Sequence, residues 1–434
     1  MKLDSIWTQT VKMPAFLALH TDVKTDVLII GGGLAGLLCA YRLTQAGVDC
    51  ILVEAERICG KTTGNTTAKI TSQHGLIYDK LLRTFGAGKA GLYLQANQAA
   101  LEEYRTLCQG LDCDFEEKDA FVYTRTDRKK LEQEAAALER LGFGAELVPD
   151  LPLPFPTAGA VKFPRQAQFH PLKFAAAIAK DLPIFEHTKV LELAPRAART
   201  SGGTVQAEAI IIATHFPLLN KHGGYFLKLY QHRSYVLALE GAPDVGGMFL
   251  DENETGLSFR NYAGQLLLGG GSHRTGKQGG GWRELEQFAR RAYPEARITA
   301  RWAAQDCMTL DGVPYIGQYS KGAAGLYVAT GFQKWGMTSS MAAAMLLTDL
   351  VQDRDNPYMA VFGPSRSVLR PQLAVNGLES VLSLLTPTTP RCPHMGCALK
   401  YNPQEHSWDC PCHGSRFGEN GKLLDNPATD GKRL

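Results

Sequence analysis

Several features are scarce in this chain of 434 residues, and each scarcity excludes a class of protein. Charge of one sign is missing, because 46 Lys and Arg stand against 43 Asp and Glu, a formal net charge of +3. That balance gives no basis for a nucleic-acid partner or an anionic surface. Long hydrophobic runs are missing too: the longest, Val27 to Ala40, is broken by Gly31, Gly32 and Gly33 and is too short to span a membrane. The start, Met1 to Asp4, has neither a secretory apolar stretch nor a twin-arginine pair. No internal repeat of fixed period and no low-complexity tract occurs. The expectation is a soluble, cytoplasmic protein with no transmembrane segment, long enough for two or three domains at about 150 residues each. Cysteine is thin over most of the chain, with Cys39, Cys50, Cys59, Cys108, Cys113 and Cys307 lacking paired spacing. The other four, Cys392, Cys397, Cys410 and Cys412, crowd into the last 43 residues. That clustering marks a site.

What is present begins with a buried-strand pattern, Asp26 to Ile30, running into Gly31-Gly32-Gly33-Leu34-Ala35-Gly36. An apolar helix pattern follows from Ala35 to Gln45, then a second strand from Val48 to Glu54. Gly31, Gly33 and Gly36 have the G-x-G-x-x-G spacing of a dinucleotide turn. There the first glycine permits the turn, the second lets a pyrophosphate approach the backbone and the third allows close helix–strand packing. The phosphate then sits on the helix N-terminus, where free N–H groups and the dipole favour an anion. Glu54 closes the second strand, where an acid binds a ribose hydroxyl. This fingerprint fits FAD and NAD alike.

Helical periodicity dominates from Tyr78 to Gly142, with candidates at Leu94 to Leu107 and Asp127 to Leu141. Leu227 to Gly271 alternates like antiparallel strands, and Gly325 to Thr330 is a buried strand followed by a helix from Thr338 to Gln352. The block Ala329 to Thr338 (ATGFQKWGMT) resembles the C-terminal flavin-contacting segment of the D-amino-acid-oxidase-like flavoenzymes, which include glycine, sarcosine and amine oxidases. Asn65 to Lys69, the run before Val190 and the turn Asp311 to Gly317 (DGVPYIG) match the same family, so the resemblance covers roughly residues 20 to 355. It implies FAD contacts from Gly31, Gly33, Leu34, Ala35, Gly36, Glu54, Ala55, Thr62, Thr66, Thr67, Ala68, Val190, Ala213, Thr214, Gly331, Phe332, Gln333, Lys334, Gly336 and Met337. It also implies oxidation of a C–N bond, with the protein supplying orientation and charge beside the ring. Lys69 and Lys334 are weak candidates for a positive charge there, a surface lysine being the plain alternative for each.

The amino-acid-oxidising members place a carboxylate-clamping Arg shortly before the D-G-x-P turn. Here Asp306 stands in that position. A carboxylate repels an α-carboxylate and attracts an ammonium, which favours an amine over an amino acid. Arg233, Arg260 and Arg301 are the cations that remain within reach of such a site. Cys307 lies near where some relatives tether flavin, but its spacing to the following turn differs, so it reads as a buried, unreactive thiol. No acid or base emerges otherwise, since His170, His232 and His273 read more readily as structural histidines.

The terminal cluster contains Cys392-Pro393-His394 and Cys410-Pro411-Cys412-His413, with 15 residues between His394 and Cys410. Two Cys and two His suit tetrahedral zinc. The doubled motif, continuing Gly414-Ser415, closely resembles the Rieske [2Fe-2S] family, in which two thiolates hold one iron and two imidazoles the other. That resemblance implies Cys392, His394, Cys410 and His413 as ligands and a Cys397–Cys412 disulfide bracing the loops. It also implies a Ser415 hydroxyl beside the cluster, and Phe417 in place of a Tyr donor. Only 21 residues follow His413, which leaves no room for an oxygenase domain and makes the surrounding sheet look abbreviated.

The expected fold is α/β. A Rossmann-like FAD-binding domain (1–80, 157–220 and 323–355) is interleaved with an α+β substrate domain (81–156 and 221–322). A linker (356–386) leads to a small all-β Rieske-type module (387–434). The arrangement resembles a group of bacterial FAD-dependent oxidoreductases. It implies a dehydrogenase that oxidises an amine-type small molecule and passes electrons from FAD through the [2Fe-2S] cluster to an external acceptor. An O2-reducing oxidase with a structural or vestigial cluster, and a non-enzymatic redox sensor, are the alternatives.

Overall fold

The continuous apolar run Val27–Ile30 forms a strand buried on both faces, as a central parallel strand requires. In the computed structural model, which describes residues 3–219, 222–387 and 390–431, this strand, Val23–Ile30, lies between Thr204–Ile212 and Cys50–Val53, parallel to both. They belong to an eight-stranded sheet completed by Leu326–Thr330, Tyr315–Gln318, Ile184–Phe185 and the hairpin Val190–Ala194/Ala197–Thr200. The helix Leu34–Gln45 leaves the glycine turn and packs with Gly336–Val351 in one apolar core. Gly36 makes that return possible: a Cβ there would stand 1.9 Å from the Gly31 carbonyl oxygen.

A second, nine-stranded sheet runs in the order Arg297–Thr309, Leu229–Glu240, Gln265–Arg274, Ser258–Tyr262, Met248–Asp251, Glu116–Thr124, Gly159–Gln168 and Lys69–Ile70, with Glu146–Val148 beside it. Three segments sit in a different sheet from the one expected. Lys69–Ile70 and Gly159–Gln168, assigned above to the FAD-binding domain, pair with each other inside the second sheet, where Gly159–Gln168 also pairs with Glu116–Thr124. Tyr315–Gln318, assigned to the substrate domain, pairs with Leu326–Thr330 in the first. All three lie where the chain crosses between sheets. Local sequence carries no record of which sheet edge supplies the partner. The expected helix Leu94 to Leu107 is the end of a longer one, Tyr78–Cys108, broken at Gly86.

The third sheet has four strands of three residues each: Lys400–Asn402, Ser407–Asp409, Arg416–Gly418 and Leu423–Asp425. It is as short as the residue count suggested. Among the described residues no helix is long and apolar enough to cross a membrane.

The first part of the stretch expected as a linker is packed down, while its helix Pro371–Leu385 leaves Val375, Leu378, Val381 and Leu382 exposed. Val361 and Phe362 are buried, and Arg366 grips the buried carboxylate of Asp311 at 2.7 and 3.0 Å while also donating to the Pro314 carbonyl. Its Pro, Ser and Arg composition hid this, because the Asp311 charge that holds Arg366 lies 55 positions away. Burial opposes ionisation of Asp311, but the guanidinium and the Val313 amide hold its carboxyl below the usual range. Arg366→Ala leaves that carboxylate buried and unpaired. The expected cost is about 3–5 kcal/mol, read as a lower urea midpoint at neutral pH with an unchanged slope.

Candidate functional site

One cavity of about 750 Å³ opens where the two large sheets meet, a size usual for a bound ligand or cofactor. It is lined by Gly31, Gly33, Leu34 and Ala35 of the glycine turn, by Glu54 and Ala55, and by Thr62, Thr66 and Thr67. Val190, Ala213 and Thr214 continue the wall, and Gly331, Phe332, Gln333, Lys334, Gly336 and Met337 close it. Two of the residues expected to touch cofactor sit behind it. Gly36 lies under the turn against Gly31, and Ala68 is fully buried, its carbonyl accepting from Arg260 at 2.8 Å.

The donor set fits FAD. Gly33 meets nothing closer than Thr63 Oγ1 at 3.6 Å where a side chain would begin, so the backbone is open to the cavity. The N-terminus of Leu34–Gln45 has no acidic residue in its first turn to oppose a pyrophosphate. Glu54 Oε2 accepts from the Gly32 amide at 2.7 Å and Oε1 from the Glu56 amide at 2.9 Å, which fixes the carboxylate at the cavity wall. Burial raises its pKa, and those amides oppose the rise.

The three weak catalytic candidates also line this cavity. Two of them are linked through a row of hydroxyls. Lys334 Nζ donates to Ser272 Oγ at 3.2 Å, Ser272 Oγ to Ser234 Oγ at 3.2 Å, and Ser234 Oγ to Asp306 Oδ2 at 3.4 Å. Burial raises the Asp306 carboxyl to about 6 against the pull of Lys334 and the Ser234 bond, and lowers Lys334 against the pull of Asp306. Lys69 stands apart, pushed down to about 7 by burial and by Arg260.

The three arginines are engaged elsewhere. Arg233 pairs with Glu405, Arg301 with Glu286 at 3.1 Å, and Arg260 donates to the carbonyls of Thr67 and Ala68. Cys307 is buried, its thiol pushed up to about 12 by that burial, which leaves it unreactive. His170 caps the helix Pro171–Ala179, and His273 bonds the Arg274 carbonyl and the Tyr235 hydroxyl. His232 sits 3.7 Å from Glu254.

One cavity residue went unread in the sequence. His74 stacks on Trp335 at 4.9 Å, donates from Nε2 to the Thr71 carbonyl and meets the Tyr93 hydroxyl through Nδ1 at 2.6 Å. No local motif surrounds it, because apart from Thr71 its partners, Tyr93 and Trp335, come from two other segments of the chain.

The second centre is built on two turns. Cys392 Sγ and Cys410 Sγ hydrogen-bond to each other, and the rings of His394 and His413 lie 5.0 Å apart at 88°. Cys397 and Cys412 form a disulfide. Cys397, Cys410 and Cys412 also lie close enough together to hold an ion, but a disulfide leaves two of them without a thiolate. That leaves Cys392, Cys410, His394 and His413 as the residues that could ligate. Their chemistry fits a [2Fe-2S] cluster. The Cys410 thiol and the amides of His394 and Met395 lower the Cys392 thiol against burial, whereas Cys392 and burial raise the Cys410 thiol. Burial, His394 and Arg274 keep the His413 ring neutral by lowering it to about 3. Its buried Nδ1 has no partner. Ser415 Oγ accepts from the Ala428 amide at 3.0 Å and hydrogen-bonds Cys392.

The flavin half supplies the cover that the short third sheet lacks. Successive strand residues point to opposite faces. On Leu229–Glu240 and Arg297–Thr309, Ser234 and Asp306 turn to the cavity while Gln231, Arg233 and Gln305 turn to the small module. Gln231 Nε2 donates to the His413 carbonyl at 3.0 Å and the Asn426 carbonyl at 2.9 Å. Its Oε1 accepts from Gln305 at 2.7 Å and meets His215 Nε2 at 3.1 Å. Gly414 must be glycine here, with positive φ and a Cβ position 2.6 Å from Gln231 Cβ. Arg274 donates to the Pro411 carbonyl at 3.0 Å and the Cys412 carbonyl at 3.1 Å. Beside them Glu405 is buried between Arg233 and Arg416, with Nε of Arg233 and Nη2 of Arg416 each 2.9 Å from it, and it accepts from the Tyr235 hydroxyl at 2.9 Å.

Comparison with known proteins agrees with both halves. The chain matches the FAD dependent oxidoreductase family over residues 26–350 and the Rieske [2Fe-2S] domain over residues 384–433. It is 34% identical over 490 aligned residues to YhfW of Bacillus subtilis (strain 168), named as a Rieske 2Fe-2S iron-sulfur protein; 98% of this chain and 96% of YhfW are covered. It is 22% identical to the gamma-glutamylputrescine oxidoreductase of Escherichia coli (strain K12), over 79% of this chain and 87% of that protein. The crystal structure of glycine oxidase from Geobacillus kaustophilus shares the fold, with a TM-score of 0.65 at 22% identity over 80% of this chain and 99% of that one.

Burial alone would raise the Glu405 carboxyl, but Arg233 and Arg416 hold it down to about 2. A carboxyl depressed on folding gives stability that is full above its unfolded pKa, near 4.5, and lost as pH falls through about 2. Glu405→Gln strands Arg233 without its carboxylate. At pH 7 we expect a loss of about 3–5 kcal/mol in chemical unfolding. The gap to the parent protein should narrow below pH 5 and nearly close by about pH 2.

Proposed function

The chain belongs to the FAD dependent oxidoreductase family and carries a C-terminal Rieske [2Fe-2S] domain, and on that premise we propose that it is a dehydrogenase oxidising the C–N bond of an amine, with electrons leaving through the Rieske centre to an external acceptor. The observation that carries this reading is the shared pair of strands. Leu229–Glu240 and Arg297–Thr309 present Ser234 and Asp306 to the flavin cavity and Gln231 and Gln305 to the loop bearing Cys410 and His413. Holding both centres on two strands makes their encounter intramolecular, at a high effective concentration. The relatives named for glycine and gamma-glutamylputrescine support a nitrogen-bearing substrate.

Bound FAD supplies hydride acceptance, and the bound cluster one-electron chemistry at a raised potential. The chain's own residues bind and orient. Asp306 gives the cavity a carboxylate, ionised above about pH 6, to attract a substrate ammonium. That carboxylate takes the ammonium proton, leaving the neutral amine that oxidation requires. Ser234 and Ser272 fix the carboxylate and connect it to Lys334, whose Nζ also donates to the Glu254 carbonyl at 3.0 Å. Arg233 and Arg301 are paired with carboxylates elsewhere, and Arg260, whose Nε and Nη2 have no partner among the described residues, is not among the residues that line the cavity, so the lining offers none of the three to clamp a substrate carboxylate.

Three outcomes follow. A simple amine is expected to be oxidised faster than the amino acid that carries it; the reverse order would defeat the assignment to Asp306. For the amine, kcat/KM should fall as pH drops through about 6, and Asp306→Asn should abolish that limb and lower kcat/KM about 10²-fold or more. Under anaerobic conditions the amine should bleach the flavin absorption and raise the EPR signal of a reduced Rieske centre in the same protein. Peroxide formation in air at the full turnover rate, unchanged by His413→Ala, would identify an oxidase instead.

A further inference from the structure

We infer that the segment Leu423–Thr429 of the C-terminal module is part of the FAD-binding site: it closes the nucleotide end of the cavity, so that FAD retention and docking of the module depend on each other. All seven of its residues line the same cavity as the glycine turn. They lie at the end marked by Val190 and by Glu54, where the fingerprint places the ribose.

The segment is tied down on both sides of that opening. Lys61, near Glu54 in the chain, donates through Nζ to the Leu424 carbonyl at 3.0 Å. Lys189, next to Val190, donates to the Thr429 carbonyl at 2.6 Å and pairs with Asp430 at 2.9 Å. Between these, Asn426 Nδ2 donates to the carbonyls of Thr214 at 2.8 Å and Phe216 at 3.0 Å, just beyond the strand Thr204–Ile212 and the cavity-lining Ala213. The other side of the segment belongs to the cluster-bearing loop, through Asp425 to Arg416 at 2.9 Å and the Ala428 amide to Ser415 at 3.0 Å. A dinucleotide in this cavity is therefore covered by chain that also braces the iron–sulfur site. A ligand that binds the covered state stabilises the cover, and by linkage the cover tightens the ligand.

Asn426→Ala in the full-length protein removes the two side-chain bonds that pin the middle of the segment. FAD release, followed by the rise of free-flavin fluorescence on dilution, should become about tenfold faster, while iron and acid-labile sulfide stay at the parent level. A release rate within roughly twofold of the parent, with iron and sulfide intact, would overturn the inference. A second measurement does not depend on the variant folding. In the unaltered protein, amide hydrogen exchange of the peptide spanning 423–429 should rise about tenfold or more once FAD is removed. Equal protection with and without FAD would overturn it.

Discussion

The two halves of this molecule are held to one another by a buried carboxylate. Glu405 lies between Arg233 of the nine-stranded sheet, which donates to both of its carboxylate oxygens, and Arg416 of the small module, which shares Oε2. Arg416 reaches on to Asp409 at 3.0 Å and Asp425 at 2.9 Å, so the module's fold and its attachment share one cation. Burying such charges is costly, and they are tolerated because every member has a partner. A buried ion cluster tolerates few alternative arrangements, and that selectivity fixes the module's position. Hydrophobic contact alone would bind a sheet of four three-residue strands far less specifically.

From that fixed position the division of labour on the nine-stranded sheet follows. Strand alternation sends neighbouring side chains in opposite directions, so two adjacent strands serve two centres without an intervening layer. Gln231 is the junction, binding the His413 and Asn426 carbonyls on one side and His215 and Gln305 on the other. The short third sheet thus lacks nothing it needs. The strands a larger domain would wrap around the cluster are replaced by the flavin half's own sheet, with Arg274 holding the Pro411 and Cys412 carbonyls.

Much of the chemistry was legible along the chain because it depends on near neighbours. A glycine turn needs its three glycines within six residues, and the cluster-ligand turns pack Cys and His within four. These signals survive without knowing what lies across the fold. The environment of Asp306 was half legible. Its identity and position suggested an ammonium partner, but the raised carboxyl and the row through Ser234 and Ser272 to Lys334 come from four strands and turns that meet only in space. His74 was missed for the same reason, as was the docking of the segment that ends at Arg366, where one arginine answers a carboxylate 55 positions earlier.

By itself, then, the sequence carried the two cofactor-binding signatures and the α/β class, the signatures through short-range spacing that depends on near neighbours in the chain. The tertiary structure alone decided which sheet each crossing strand joins, which arginines are unavailable to substrate and where the small module sits. Those outcomes rest on pairings such as Gln231 with His413, 182 positions apart. Burial and charge compensation select such pairings only when the whole chain has packed.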